Sequence, residues 1–265
     1  MSGVAAIVPA AGAGSRVGGR QNKLFLPLAG KPLLAHALEA LQASPSVRWI
    51  VLAVRPEDRA HVQTLLRYRV IAKSLPLVSG GSSRAESVAR GFAAIPPQAD
   101  WVLIHDGARP CLRPALVARA VRGAKRHGSA VCGLRAFLTV KAADEDRQVR
   151  VTLDRDQLWF VQTPQVFRRD WFGEAVARTG VGRGGNGHAA RALERFPDDA
   201  ALVEAAGFPV RMVPGDPLNL KVTTREDFLL AEAILAARGS GLGARGKHRH
   251  PRPRASSLEQ MAISS

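Results

Sequence analysis

Apolar and polar positions along this chain fall into two kinds of block that take turns. Residues 4–8 (Val-Ala-Ala-Ile-Val), 49–54 (Trp-Ile-Val-Leu-Ala-Val) and 101–104 (Trp-Val-Leu-Ile) are short, unbroken apolar runs, the pattern of strands buried on both faces. Over 32–41, and again around 63–66, apolar residues recur at helical spacing instead, so helices are predicted there. The same reading continues with strands at 76–78 and 130–134 and helices at 87–94, 115–124 and 169–178. Asp198 opens a capped helix, 210–213 and 220–222 read as strands, and Thr224-Arg225-Glu226-Asp227 starts a last helix with capping-box spacing. Alternation of this kind builds a mainly parallel sheet with helices on both faces, a three-layer α/β/α domain. At about 137–162 the pattern breaks: β-favouring residues flank a charged turn, Asp144-Glu145-Asp146-Arg147, and predict a protruding β-arm. Such an arm leaves strand edges open, and pairing with a second copy is one way to cover them.

Composition narrows the class. With 265 residues, 46% of them hydrophobic, the chain has enough for one substantial core, read as a single domain over 1–238. No apolar run is long enough for a bilayer, and the N-terminus has no basic segment leading into a long apolar stretch, so a cytoplasmic protein is expected. Cys111 and Cys132 lie in separate segments without a C-x-x-C partner, which is neither a disulfide framework nor a zinc pattern. The net charge of +16 raises the question of nucleic acid. Part of that charge sits in residues 239–265, a Gly/Pro/Arg-rich tail expected to be disordered. With 5% aromatic residues and no recognition motif, a nucleic-acid-binding protein is the distant alternative, and the remaining basic surplus suits anionic substrates.

The first predicted strand runs into Pro9-Ala10-Ala11-Gly12-Ala13-Gly14-Ser15-Arg16, and Lys23 follows. Gly12 and Gly14 let backbone N–H groups approach a ligand closely, while Arg16 and Lys23 add fixed positive charge, a layout suited to a polyphosphate. The dinucleotide fingerprint is excluded because Val17 stands where its third glycine belongs, and no Walker-type string occurs. A second glycine pair, Gly80-Gly81, also follows a strand and precedes a helix, where free N–H groups face a ligand. Asp106 stands at the carboxyl end of the 101–104 strand, the place where open α/β sheets bind ligands. It is a candidate for a magnesium ion or a polar ligand group, with a helix cap or an ion pair to Arg109 as the other readings. His105 beside it reads as packed rather than catalytic.

Taken in order, Pro9-Ala10-Ala11-Gly12-x-Gly14-x-Arg16 with Lys23, Gly80-Gly81-x-x-Arg84-x-x-Ser87 and His105-Asp106-x-Ala108-Arg109-Pro110 are followed by three further motifs. These are Asp154-Arg155-x-x-Leu158-Trp159, Gln162-Thr163-Pro164-Gln165 and Asn219-Leu220-Lys221-Val222-Thr223. The set resembles the 2-C-methyl-D-erythritol 4-phosphate cytidylyltransferases over about residues 4–238. The resemblance implies a Rossmann-like nucleotidyltransferase fold and a homodimer joined by the β-arm. It also implies magnesium-dependent transfer of CMP from CTP to the sugar-alcohol phosphate, with release of pyrophosphate, in non-mevalonate isoprenoid synthesis. By the same resemblance, Pro9, Ala10, Ala11, Gly12, Ala13, Gly14, Gly81, Ser82, Ser87, Asp106 and Gly107 would contact CTP. Arg16, Lys23 and Lys221 would hold phosphates, Arg16 and Lys23 being the catalytic pair. Asp106, Arg109, Thr139, Thr163 and Lys221 would hold the acceptor together with Arg155 from a second subunit, and the metal would lie on Asp106 or on the CTP phosphates alone.

Three positions depart from the family pattern. Ser82 stands where an Asp is common, Leu138 where an Asp precedes the arm Thr, and Pro197 where a Thr precedes Asp198-Asp199-Ala200. Pro197 bears on the acceptor, and ribitol 5-phosphate is the alternative acceptor. Leu158-Trp159 favours methylerythritol phosphate.

Overall fold

The computed structural model describes residues 3–12, 22–179, 193 and 195–239. Ala13, Gly14 and Arg16, the glycine-rich stretch 180–187 and the tail from 240 onward lie outside the described residues.

Seven strands form one sheet: β1 (Gly3–Pro9), β4 (Trp49–Val54), β5 (Val78–Ser79), β6 (Ala99–Ile104), β7 (Ser129–Arg135), β10 (Trp159–Arg168) and β11 (Met212–Pro214). Two short strands, β2 (Pro27–Leu28) and β3 (Lys31–Pro32), make a separate hairpin, as do β8 (Val140–Ala143) and β9 (Val149–Leu153). The order across the main sheet is β11-β7-β10-β6-β1-β4-β5, and every neighbouring pair is parallel except those of β10, which runs antiparallel to β6 and β7. The helices are α1 (Leu33–Ala43), α2 (Arg59–Tyr68), α3 (Arg84–Ala93), α4 (Pro114–His127), α5 (Arg169–Arg178), α6 (Asp199–Ala205) and α7 (Arg225–Gly239).

The unbroken apolar run of β1 has a direct structural cause. Val4, Ala6 and Val8 pack into one core with α1 and α4, while Ala5 and Ile7 face a second core with α3 and α5. Alternate side chains of a strand leave opposite faces, so a strand covered on both sides must be apolar at every position. At Gly91 of α3 a Cβ would lie 2.6 Å from Cγ2 of Ile7, so glycine there lets the helix lie directly on the sheet. The three-layer expectation therefore stands.

Some boundaries moved. α3 starts at Arg84 rather than Ser87, because Ser83 caps it by accepting from Glu86 N–H at 3.1 Å. The arm's separate ribbon is only β8 and β9; from Trp159 the chain is already in the main sheet, paired with β7. Residues 220–222, read as a strand, are not one: Val222 is buried and its N–H bonds Ala108 O at 2.8 Å, so this stretch is a strap across the strand ends. The capping box of α7 is present, Thr224 N–H donating to Asp227 Oδ2 at 2.9 Å and Asp227 N–H to Thr224 Oγ1 at 3.3 Å. Among the described residues no helix is long and apolar enough to cross a membrane.

Candidate active site

The ends of β1, β5 and β6 open onto one cavity of about 480 Å3. Sheet-like bonds continue past the strands and fix the loops that line it: Ala10 N–H donates to Ala53 O, Gly80 N–H to Val54 O and His105 N–H to Ile7 O. Pro9, Ala11, Gly12, Lys23 and Lys221 are among the residues that line this cavity, as are Gly81, Ser82, Ser87, Asp106 and Gly107. Ala10 is buried behind the loop. The two glycine loops touch, since a Cβ on Gly80 would lie 2.1 Å from that of Ala11. Lys23 donates to Val222 O at 2.8 Å, which holds its ammonium between the first loop and the strap.

In the second loop Ser87 Oγ donates to Ser83 O and accepts from Gly81 N–H, at 2.9 and 3.0 Å. Ser82 gives both its N–H and its hydroxyl to Glu86 Oε2, at 2.7 and 2.8 Å, and Arg90 pairs with the other oxygen. Those Ser82 bonds, with Arg90, hold the Glu86 carboxyl below its usual range. Ser82 thus gives Glu86 a hydroxyl donor that an ionised Asp side chain at this position would not supply.

Asp106 lies at the centre of a cation cluster. Arg84 Nε donates to its Oδ1 at 2.9 Å, while Lys221 Nζ and Arg109 Nε stand 3.1 and 3.5 Å from Oδ2. Burial alone would raise this carboxyl, but the charges of Arg84, Lys221 and Arg109 hold it well below the usual carboxylate range. Arg84 also donates through Nη2 to Asp199 Oδ2 at 2.7 Å. Burial pushes Asp199 up, and Arg84 opposes that shift.

A second cavity, also about 480 Å3, shares Arg84, Asp106 and Lys221 with the first. Arg109, Thr163 and Gln165 line it, as do Pro197 and the start of α6. The Gln162-Thr163-Pro164-Gln165 string clamps its surroundings. Thr163 Oγ1 accepts from Asp106 N–H and pairs with His105 Nδ1, each at 3.1 Å. Gln165 donates to Asp198 Oδ2 and accepts from Ala200 N–H, which fixes the first turn of α6. Asn219 Nδ2 donates to Thr163 O at 2.7 Å, and Arg109 to Asn219 O at 2.9 Å.

His105 is packed, as expected, and burial lowers its imidazole to about 4. Between that value and the ordinary 6.5 the unfolded chain binds the proton and the folded chain does not, so this residue makes stability fall as pH drops through the window. His105→Gln should remove that part, flattening the dependence by about 2–3 kcal/mol between pH 6.5 and 4.5 in urea unfolding. An unchanged slope would mean that the ring takes up its proton at the same pH in the fold as in the unfolded chain.

The residues do not fit a protein-held metal. Both Asp106 oxygens already face cations, and among the described residues no three His, Cys, Asp or Glu side chains gather for an ion. Magnesium on Asp106 therefore has no support in this geometry.

Thr139 and Arg155 line neither cavity. Thr139 is exposed ahead of β8, and Arg155 is exposed with its guanidinium donating to Phe137 O at 3.3 Å. Within one chain the structure does not bring them to the other residues expected to hold the acceptor. Sequence reading gave no role to Arg84, Asp199 or Asn219. Arg84 was visible in its motif, four residues past Gly80, but its partners are far away in sequence.

A sequence profile described as 2-C-methyl-D-erythritol 4-phosphate cytidylyltransferase matches residues 4–237. The enzyme of that name from Gloeobacter violaceus is 41% identical over 230 residues, 86% of this chain and 94% of its own. That from Lysinibacillus sphaericus is 43% identical over 234 residues, 88% and 95% of the two chains. Among solved structures, 4-diphosphocytidyl-2C-methyl-D-erythritol synthase from Anaerococcus prevotii superposes with a TM-score of 0.74 at 26% identity, covering 89% of this chain and 99% of the other. The cytidylyltransferase from Thermus thermophilus gives 0.67 at 31% identity, covering 88% and 99%. With its fold, its ordered motifs and its sequence all matching, this chain belongs to the 2-C-methyl-D-erythritol 4-phosphate cytidylyltransferase (IspD) family.

Proposed function

We propose that the two cavities divide the family's reaction, the first taking CTP and the second the acceptor. That reaction transfers CMP from CTP to 2-C-methyl-D-erythritol 4-phosphate, giving 4-diphosphocytidyl-2-C-methyl-D-erythritol and pyrophosphate. The observation that carries the division is the Arg84, Arg109 and Lys221 cluster around Asp106, at the junction of both cavities.

The acceptor phosphate has its second pKa near ~6, so at neutral pH it is already an anionic nucleophile and needs no general base. An oxygen of that phosphate attacks the α-phosphorus of CTP, and the bond to the β-phosphate bridging oxygen breaks as pyrophosphate leaves. The barrier is mutual repulsion of two anions, and fixed cations at the meeting point lower it. The 10–12 backbone with Gly81, Ser82 and Ser87 holds cytosine and ribose. Lys23, Lys221 and Arg16 hold phosphates. Arg109 and Thr163 hold the acceptor, with Asp106 between the sites.

A homodimer completes this reading. Phe137, Leu138, Val149, Val151 and Leu153 are all exposed on and beside the arm, an apolar strip of the kind that a partner covers. Pairing there would carry Thr139 and Arg155 toward a second copy's acceptor cavity. Dependence on CTP assigns the enzyme to the cytoplasm, where nucleoside triphosphates are made.

The test is pyrophosphate release from purified protein with CTP and a divalent ion, comparing methylerythritol phosphate, ribitol 5-phosphate and no acceptor. Turnover is expected with the first alone, which would make Pro197 a tolerated replacement in the cavity wall. Turnover with ribitol 5-phosphate alone would overturn the acceptor assignment and leave the CTP site standing.

A further inference from the structure

Arg84 belongs to both cavities. As the first residue of α3 it continues the glycine loop that lines the nucleotide side, and its guanidinium reaches Asp106, which lines both cavities, and Asp199, buried in the first turn of α6. We propose that Arg84 is a positioning residue for the acceptor cavity, fixing Asp106 and the first turn of α6 relative to each other. The inference rests on the assignment of the second cavity to the acceptor.

Three observations support it. Arg84 spends Nε on Asp106 and Nη2 on Asp199, so it acts through those side chains. Asp199 opens α6 and is 3% exposed; among the described residues its ion-pair partner is Arg84. α6 in turn carries a wall of the acceptor cavity through Ala200, Ala201 and Glu204. A planar guanidinium can hold two carboxylates at a set spacing, whereas an ammonium is a point charge that serves one geometry at a time.

Steady-state constants of Arg84→Lys and Asp199→Asn, measured for each substrate, test this role. Arg84→Lys should raise KM for methylerythritol phosphate about tenfold or more and leave KM for CTP within about twofold. Asp199→Asn should show the same one-sided effect, and the double variant should lose less than the product of the two single losses. A KM for CTP that rises as much as that for the acceptor would overturn the proposal in favour of direct nucleotide contact. Lowered thermal stability with both KM values unchanged would overturn it in favour of a purely structural ion pair. Should Arg84→Lys fail to fold, Asp199→Asn decides alone: an unchanged acceptor KM overturns the positioning role. Wild-type enzyme assayed alongside separates the two readings, since absence of methylerythritol phosphate turnover strikes the function, and ordinary turnover with no one-sided KM effect strikes only the role of Arg84.

Discussion

Lys23→Ala is expected to lower turnover by about 10²–10³-fold while the protein still folds. The ammonium is held at 2.8 Å from Val222 O, in the cavity assigned to CTP. Its charge is thus in place before the phosphates arrive, and none of its stabilising energy goes into reorganisation. Removing it takes one donor from a carbonyl on the strap, worth about 1 kcal/mol, a loss that a domain of this size survives. Turnover with saturating CTP and a thermal melt measure the two sides. Near wild-type turnover would remove Lys23 from the catalytic role.

The second large effect belongs to Asp106→Asn, which should cost both stability and acceptor binding. The wild-type carboxylate is 6% exposed and faces Arg84, Lys221 and Arg109. Neutralising it leaves those cations to repel one another at a buried position, and breaking such a pair costs about 3–5 kcal/mol. Arg109 and Lys221 also lose the group that orients them toward the acceptor, so kcat/KM should fall by about 10²-fold or more. The pH dependence has a definite sign. The folded carboxyl is held below its unfolded value despite burial, by Arg84 first and then Lys221 and Arg109. Its contribution is therefore fully present above the unfolded value near ~4 and is lost as pH falls below it. Denaturant unfolding at neutral and at acid pH should show wild type converging on the variant as acid is added. A constant gap between them would mean that Asp106 is not the group whose charge matters.

Where a residue's role depends on its own neighbours in sequence, reading the chain was enough. The helix at Arg169–Arg178 and the box at Thr224–Asp227 depend on spacing within a turn or two, and both were legible in the chain. Asp106 was legible too, because a polar residue after an unbroken strand has one place to go in an open sheet. The strap at 220–222 was not: three β-compatible residues look like a strand, and whether they pair with an edge or cross the strand ends is decided by what lies opposite. β10 shows the same limit, since the β-rich stretch after the arm reads alike as an outgrowth or as a strand inserted antiparallel between β6 and β7.

The sequence by itself determined the layered α/β architecture, the two glycine motifs, the lysines at the first cavity, Lys23 and Lys221, and the family, since all of these rest on short-range periodicity and on residue types at fixed spacing. Tertiary structure alone decided the electrostatic centre. Arg84 meets Asp106 across 22 residues and Asp199 across 115, and Lys23 meets Val222 across 199. Such pairings depend on the order and twist of the strands that carry them, and one arginine between two carboxylates has no signature in either neighbourhood of the chain.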